Sequence, residues 1–345
     1  MDPVRDSGKK GFLSRQRPLS LERKISNGVE AKHDSVLMSE VLEALDVQTS
    51  DTVVDGTLGG AGHFTKLLAA LGEGGVMVGI DADLAAVERG RQAYANDRRT
   101  GRPVAHLVND NFRNLTHILE RLGIGQINKI LLDLGWSGYQ IAAPRGFSFQ
   151  NDEPLLMTYG EGGETAADIV NSSSEEYLAD ILFTYGEERF ARKIAHAIVA
   201  ARAKERILTT RALVAAIKAG TPRWYQQGKT HPATKTFQAL RIATNDEIAA
   251  LRNGMSAALS ALTPGGRLAV ISFHSIEDRI VKNALRDASE AGLGTLISKK
   301  PIVPSRTEII ANRRARSAKL RIFERSIALS SAGSENTIHS IYTYA

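Results

Sequence analysis

A glycine-rich segment from Val53 to His63, which reads Val-Val-Asp-Gly-Thr-Leu-Gly-Gly-Ala-Gly-His, constrains the fold more than any other part of the sequence. Its apolar start predicts a short strand that ends at Asp55, and the residues from Phe64 to Leu71 predict a helix. Glycines between a strand and a helix let the backbone approach a ligand closely, and the N–H groups that start the helix favour polar ligand groups. The segment therefore predicts a cradle for a nucleotide-like cofactor, with Asp55, Gly60 and Gly62 among its residues.

Strands and helices alternate around this segment. The spacing predicts strands over 51–55, 76–80, 104–108, 127–132 and 267–273. It predicts helices over 35–45, 64–71, 84–95, 112–122 and 245–262. This alternation is typical of βαβ units. The predicted fold class is therefore α/β, with a Rossmann-like, doubly wound parallel sheet.

The alternation breaks between residues 136 and 243, where helical patterns lie over 175–185, 188–204 and 210–219. We therefore expect a discontinuous core over 33–135 and 244–325, with an inserted helical domain over 136–243. Residues 1–32 are expected to form a basic, flexible tail, and residues 326–345 a second tail. The sequence has no run of about 18 apolar residues, so no membrane span is expected.

Two acidic residues and a missing glycine help to identify the cofactor. Asp81 follows the second strand, where a carboxylate can accept hydrogen bonds from ribose hydroxyls. After Gly60-Ala-Gly62, Thr65 stands where a dinucleotide fingerprint has its third glycine. Asp55 suits the positively charged methionyl part of S-adenosylmethionine and would repel a pyrophosphate. The Pro264-Gly-Gly266 turn before the fifth strand is also typical of methyltransferases, so these features favour S-adenosylmethionine over NAD.

The sequence contains no cysteine. This excludes disulfides, thiolate zinc sites and iron–sulfur clusters. It also excludes the thiolate nucleophile that methylation at cytosine C5 normally needs. Any methyl transfer is therefore expected to go directly to a heteroatom, without a covalent enzyme intermediate.

The segment after the fourth strand, Asp133-Leu-Gly-Trp-Ser137, lies where a methyl acceptor is expected. Asp133 is a candidate contact for the cofactor or for an acceptor amine, and the alternative is a loop cap that bonds local N–H groups. Aromatic residues follow closely in the sequence, where they could stack an unpaired base or belong to the core. They are Trp136, Tyr139, Phe147 and Phe149.

Two further stretches carry candidate functional groups. The run from His231 to Arg241, His-Pro-Ala-Thr-Lys-Thr-Phe-Gln-Ala-Leu-Arg, includes Lys235 and mixes cations, hydroxyls and an aromatic ring. A strip that contacts RNA phosphates and bases has this composition, and so does a solvated helix start. His274, at the end of the fifth strand, is a candidate proton acceptor or a structural histidine.

The formal net charge is +6, which is compatible with a polyanionic partner. Basic residues concentrate over 299–325, where Arg313, Arg314 and Arg316 are candidates for phosphate contacts that salt would weaken. Basic tails without such a function are also common.

Long motifs throughout the chain resemble those of the bacterial small-subunit ribosomal RNA cytosine-N4 methyltransferases. The resemblance covers about residues 33–325. Its matching stretches are His33–Leu37, Asp55–His63, Asp133–Gly135, Arg145–Phe149, Thr184–Phe190, His231–Arg241, Pro264–Arg267, Ser272–Arg279 and Asn312–Ser317.

The resemblance implies methylation of the N4 amine of a cytidine in the decoding region of 16S ribosomal RNA, within the small ribosomal subunit. It also implies a cytoplasmic enzyme that uses S-adenosylmethionine, with an inserted domain that recognises the substrate. The oligomeric state stays open, a homodimer included. The implied cofactor contacts are Ala61, Gly62, His63, Asp81, Phe112, Asp133 and Gln140.

The chain departs from the family pattern at three places. Ala61 stands where the family often has glycine, and Trp136-Ser-Gly138 replaces a small aliphatic residue and two serines. Leu156-Met-Thr158 replaces Asp-Met-Arg. Two alternatives share the predicted cradle: a small-molecule methyltransferase, which would ignore RNA, and a non-catalytic RNA-binding protein, which would not bind S-adenosylmethionine.

Overall fold

A mixed β-sheet organises the chain, and the computed structural model describes residues 35–135, 138–160 and 162–327 of it. Within these residues the sheet has seven strands, in the order β3-β2-β1-β4-β5-β7-β6. Strands β1 to β5 run parallel to one another, whereas β7 runs antiparallel to both β5 and β6. The strands are β1 Thr52–Asp55, β2 Val76–Asp81, β3 Val104–Asn109, β4 Ile127–Asp133, β5 Leu262–Ser272, β6 Gly294–Leu296 and β7 Lys319–Arg325.

Helices connect the strands, and two short 3₁₀ helices lie at Phe112–Asn114 and Arg313–Ser317. No helix in the described part of the chain is long and apolar enough to cross a membrane. The α-helices are α1 Met38–Leu45, α2 Gly62–Ala70, α3 Leu84–Asn96, α4 Leu115–Leu122, α5 Gly138–Ala142, α6 Ala166–Ser172, α7 Glu175–Gly186, α8 Ala191–Arg202, α9 Thr210–Ala219, α10 Arg223–Gln226, α11 Thr234–Asn245, α12 Glu247–Ala261, α13 Ser275–Glu290 and α14 Arg306–Ala311.

The pleat of the sheet divides the core into two layers. Val53 belongs to the apolar cluster built with α1, α2 and α3, and its neighbour Val54 belongs to the cluster built with α4, α12 and α13. Leu131 and Leu132 of β4 divide in the same way. Side chains on a strand alternate between faces, and here both faces are covered by helices. The predicted α/β fold class is confirmed.

A third apolar cluster holds the helices that lie between β4 and α12. It runs from Phe147 to Leu240 and draws on α6, α7, α8, α9 and α11. Sequence periodicity predicts α7, α8 and α9 to within a few residues. The predicted inserted helical domain therefore falls on a segment with its own apolar cluster.

Strand β7 differs from the sequence interpretation, which treats residues 299–325 as a basic tail. Lys319–Arg325 forms β7 and pairs with β5. Leu320, Ile322 and Phe323 of β7 are buried, and so is Arg321 at 6% exposure. The alternating cations make this segment read as a basic tail, although it is a strand whose apolar side chains pack on both faces of the sheet.

Asp278 on α13 makes burial of that cation possible. Its Oδ1 accepts a hydrogen bond from Nε of Arg321 at 2.8 Å, and its Oδ2 accepts one from Nζ of Lys319 at 2.7 Å. Burial raises the pKa of Asp278, but the hydrogen bonds and charges of the two cations outweigh it, and the net shift is downward. The two hydrogen bonds to Asp278 therefore anchor β7 to α13.

We expect Asp278→Asn to lower the free energy of unfolding by about 2 kcal/mol at neutral pH, because it leaves Arg321 buried without its carboxylate. The folded-state pKa lies below the unfolded value of 3.8, so the contribution is present above that value and is lost as the pH falls below it. Urea unfolding at several pH values measures both effects. Glu290→Gln, at an exposed position of the same helix, is the matched control, and an equal loss in both variants would contradict the assignment.

Candidate active site

A cleft of about 800 Å³, counting its open mouth, lies where β1, β2 and β4 end. Each of these strands ends in an aspartate, and parallel strands present their carboxyl ends at one edge of the sheet. Asp81 and Asp133 line the cleft, together with Phe112 and Gln140, and Asp55 lies buried beside them. The structure therefore brings the predicted acidic residues together.

The glycine-rich turn after β1 forms one wall of the cleft. Gly59 and Ala61 both adopt left-handed backbone conformations, with φ of 48° and 60°. A Cβ at Gly62, the first residue of α2, would collide with the hydroxyl of Ser35, so the two residues are in close contact at this turn. Ala61 offers no side-chain cap to the helix, which leaves the first N–H groups of α2 available to a ligand. Gly60, the other predicted glycine, lies in the same turn and is partly exposed.

Asp81 fastens this turn to β2. Its Oδ2 accepts a hydrogen bond from the Gly59 N–H at 2.8 Å, and its Oδ1 accepts one from the Asp83 N–H at 2.8 Å. Burial raises the pKa of Asp81 to about 6, although these hydrogen bonds partly oppose the shift. Each oxygen keeps a second lone pair, so the carboxylate can still accept from a ribose hydroxyl.

Asp55 is fully buried beneath the turn. Its Oδ1 accepts a hydrogen bond from the Thr57 N–H at 3.1 Å, whereas its Oδ2 has no hydrogen-bond partner among the described residues. Burial raises the pKa of Asp55 to about 7. A buried oxygen without a donor is costly, and a cationic ligand group in the cradle would supply one.

His63, in the first turn of α2, lies between two of these carboxylates. Its Nε2 is 3.1 Å from the carbonyl oxygen of Val36, so this nitrogen carries a hydrogen and donates. Its Nδ1 is 3.4 Å from Oδ2 of Asp133. Burial opposes the charged ring, but the hydrogen bond to Asp133 and the charges of Asp133 and Asp55 outweigh it and raise the pKa of His63. His63 is buried beneath the cleft, where it positions Asp133.

Thr57 completes the support of Asp133, and sequence reasoning missed it. Its hydroxyl oxygen accepts a hydrogen bond from the backbone N–H of Asp133 at 2.7 Å. The Asp133 side chain is 20% exposed, so it reaches the cleft from this support. The position of Thr57 inside the glycine-rich segment was the only signal in the sequence.

A second polar network closes the opposite wall of the cleft. The Tyr159 hydroxyl donates to Oε1 of Glu247 at 2.6 Å, and Nη2 of Arg241 donates to Oε2 of the same carboxylate at 2.7 Å. Asn245 accepts from the Tyr159 N–H at 3.0 Å. Tyr159, Asn245, Glu247 and Glu277 all line the cleft, and sequence reasoning missed all four.

Arg241 corrects one sequence prediction. It was a candidate RNA contact, but its side chain is 7% exposed and lies 2.7 Å from Glu247 and 3.9 Å from Glu277. A guanidinium buried against two carboxylates does not reach a phosphate on the surface. Its role is to neutralise the wall of the cleft.

His274 is the N-cap of α13. Its Nδ1 accepts a hydrogen bond from the Glu277 N–H at 3.3 Å, and Glu277 Oε2 accepts one from the His274 N–H at 3.3 Å. With Nδ1 accepting in the cap, Nε2 lies 3.0 Å from Oε1 of Glu277, so both ring nitrogens face the same residue. This geometry favours the structural histidine over the proton acceptor.

The remaining candidates lie outside the cleft. The exposed ring of His231 stacks on Phe149, with centroids 4.4 Å apart. Nζ of Lys235 donates to the carbonyl oxygen of Glu187 at 2.7 Å. Phe147 is buried in the helical cluster, whereas Tyr139 is 44% exposed under the guanidinium of Arg89. Arg313, Arg314 and Arg316 are exposed on a 3₁₀ helix.

Three sequence predictions fall outside the described residues. They concern Trp136 and Ser137 after β4, the tail over 1–32, and most of the tail over 326–345.

The residues present fit S-adenosylmethionine. The turn offers free helix N–H groups, Asp81 offers an acceptor for ribose, and Asp55 holds a buried oxygen that lacks a donor. The sheet order and this cradle define a class I S-adenosylmethionine-dependent methyltransferase.

The chain belongs to the MraW methylase family, whose profile matches residues 30–326. It is 48% identical to the ribosomal RNA small subunit methyltransferase H of Deinococcus radiodurans over an alignment of 297 residues. This alignment covers 86% of this chain and 90% of that protein. It is 45% identical to the protein of the same name from Syntrophotalea carbinolica over an alignment of 312 residues. This second alignment covers 85% of this chain and 98% of that protein.

Because burial places the pKa of Asp81 near 6, we expect the affinity for S-adenosylmethionine to fall as the pH drops through about 6, by up to about tenfold per pH unit. Protonation removes the charged acceptor for the ribose hydroxyls. Calorimetric titration between about pH 5 and 8 measures this dependence. Asp81→Asn should bind more weakly and lose this part of the dependence while keeping the part that Asp55 contributes. Identical pH profiles for both proteins would contradict the role of Asp81.

Proposed function

We propose that this enzyme methylates the exocyclic N4 of a cytidine in the decoding region of small-subunit ribosomal RNA, in the context of the small ribosomal subunit. The observation that carries the proposal is the presentation of Asp133 in the cleft by His63 and Thr57. A carboxylate there can accept a hydrogen bond from an amine, and a ring carbon has none to offer. The names of the family relatives support an RNA substrate.

The acceptor amine sets the chemical problem. The lone pair of a cytosine N4 is delocalised into the ring, so the amine is a poor nucleophile. A hydrogen bond from N4–H to the carboxylate of Asp133 draws the lone pair back toward nitrogen. S-adenosylmethionine supplies the electrophilic methyl group on a sulfonium. Alignment of the amine with the methyl–sulfur bond contributes further, up to about 7–11 kcal/mol in ideal cases.

His63 supports Asp133 as the acceptor of the hydrogen bond from N4–H. Because its Nε2 donates to the carbonyl oxygen of Val36, a proton on Nδ1 makes the ring an imidazolium that faces Asp133. The positive charge stabilises the ionised carboxylate, which then receives the proton that N4 releases after methyl transfer. The absence of cysteine agrees with direct transfer to nitrogen.

The helical segment over 136–243 and the exposed cations supply candidate RNA contacts. We assign substrate recognition to this segment as an inserted domain, in which His231 presents an exposed ring stacked on Phe149. The exposed side chains of Arg313, Arg314 and Arg316 suit phosphate contacts.

The proposal is tested by methyl transfer from labelled cofactor to small ribosomal subunits purified from a strain that lacks the enzyme, followed by nucleoside analysis. We expect N4-methylcytidine at one position. Finding 5-methylcytidine or a ribose-methylated nucleoside would overturn the assignment. Methyl transfer to small molecules but not to RNA would also overturn it.

In the same assay, we expect Asp133→Ala to lower the rate of methyl transfer by about 10²–10⁴-fold, because the acceptor for the N4 proton is lost. Asp180→Ala, at an exposed position of α7, is the matched control and should leave the rate unchanged. Calorimetry separates chemistry from cofactor binding. Wild-type rate and wild-type cofactor affinity in Asp133→Ala would contradict the role of this carboxylate.

A further inference from the structure

Three aromatic rings, of which Trp224 is exposed and Phe190 and Tyr225 are half-buried, surround one arginine on the helical segment. The guanidinium of Arg189 lies 5.1 Å from the ring centroid of Phe190, 4.6 Å from that of Trp224 and 4.9 Å from that of Tyr225. The rings meet one another edge to face. We name these four residues the Trp224 platform.

A buried carboxylate holds the platform in place. Glu188 is fully buried, and its two oxygens accept hydrogen bonds from the Tyr225 hydroxyl at 2.6 Å and from the Phe190 N–H at 2.9 Å. Burial and the hydrogen bond to Glu188 raise the pKa of Tyr225, so its hydroxyl remains a donor. The rings are therefore fixed before any partner arrives, which lowers the entropic cost of binding.

Trp224 itself is not covered by this arrangement. It is 59% exposed, although it is the largest apolar side chain of the platform. The guanidinium of Arg189 lies against the ring, and Phe190 and Tyr225 make edge-type contacts with it, but these neighbours leave more than half of the side chain exposed. A purely structural tryptophan would be expected to bury more of its surface.

The surface around the platform is basic. Arg189, Lys193 and Arg223 are exposed, and no ion pair in the described part of the chain joins any of them to a carboxylate. The charge of Lys218 helps to lower the pKa of His231, after the larger effect of burial, so positive charge extends toward the ring stacked on Phe149. Such a surface fits a polyanion with flat, apolar bases.

The platform is also tied to the cleft. Glu187, at the start of the turn that carries Arg189, accepts hydrogen bonds from the Ser275 hydroxyl at 2.7 Å and from the guanidinium of Arg279. Both donors lie on α13, whose Glu277 lines the cleft. An RNA strand that leaves the cleft along α13 would meet the platform.

We propose that the Trp224 platform stacks an unpaired base of the substrate RNA outside the cleft, while Arg189 and Lys193 contact the adjacent phosphates. This inference rests on the proposed function, because it takes RNA as the substrate. It assigns a base-binding site to a tryptophan that no sequence motif identifies, and it gives the Thr184–Phe190 stretch a role in substrate binding.

Tryptophan fluorescence tests the proposal directly. The chain has two tryptophans, Trp136 and Trp224, so Trp136→Phe leaves Trp224 as the only reporter. Titration with a single-stranded oligoribonucleotide of the target sequence should quench its emission, because stacked bases quench indole. Unchanged emission at concentrations where the RNA is bound would overturn the proposal.

Affinity measurements provide the second arm. We expect Trp224→Ala to weaken binding of the same oligoribonucleotide by roughly 5- to 150-fold, the loss expected for one base–aromatic stack, and Trp224→Phe to weaken it less. Tyr177→Ala, at an exposed aromatic residue of α7, is the matched control and should leave the affinity unchanged. Calorimetry with S-adenosylmethionine should give wild-type affinity in the Trp224 and Tyr177 variants and thereby report an intact fold.

The outcomes separate this inference from the proposed function. Wild-type RNA affinity in Trp224→Ala, together with normal formation of N4-methylcytidine, overturns the platform alone. A loss of affinity for whole small subunits but not for free RNA also overturns it, because the partner is then a protein. Loss of RNA affinity in Trp224→Ala supports the platform even if nucleoside analysis of the wild-type product overturns the N4 assignment.

Discussion

The contact between His63 and Asp133 is the interaction on which the rest of the site depends. Strands β1 and β4 are neighbours in the sheet, so their terminal aspartates would repel each other in a dry environment. The ring of His63 lies beside Asp133, and the charge of Asp55 also raises the pKa of this ring. The raised pKa of His63 favours the charged form of the ring at a point where one carboxylate is buried and the other reaches the cleft.

Carboxylates lie on both walls of the cleft, and different groups stabilise them on each wall. On one wall the Gly59 N–H of the glycine-rich turn and the Asp83 N–H donate hydrogen bonds to Asp81. On the other wall the guanidinium of Arg241 neutralises Glu247 and Glu277, which come from α12 and α13. Because Arg241 lies on α11, this ion pair also joins the helical segment to the core. Cofactor binding, acceptor presentation and the placement of that segment are therefore physically connected.

Sequence reasoning predicts the features that are local in the chain. Asp55 and Asp81 each follow an apolar run. A glycine-rich turn alone is often an ordinary tight turn, and Asp81 at the end of the next strand is what favours a cofactor site. Features that depend on distant partners escape it. Arg241 reads as a surface cation until Glu247 and Glu277 fold against it, and strand β7 reads as a basic tail because Asp278, which allows Arg321 to be buried, lies far away in the sequence.

The most direct test of this account is an NMR titration of the His63 ring, assigned by comparison with His63→Gln. Histidine normally titrates near 6.5, and we predict a higher pKa for His63 in the wild-type enzyme. Asp133→Asn removes the charge that faces Nδ1 and should lower that pKa. A wild-type pKa at or below 6.5, or one that Asp133→Asn leaves unchanged, would contradict the claim that His63 and Asp133 form the charged pair on which the site is built.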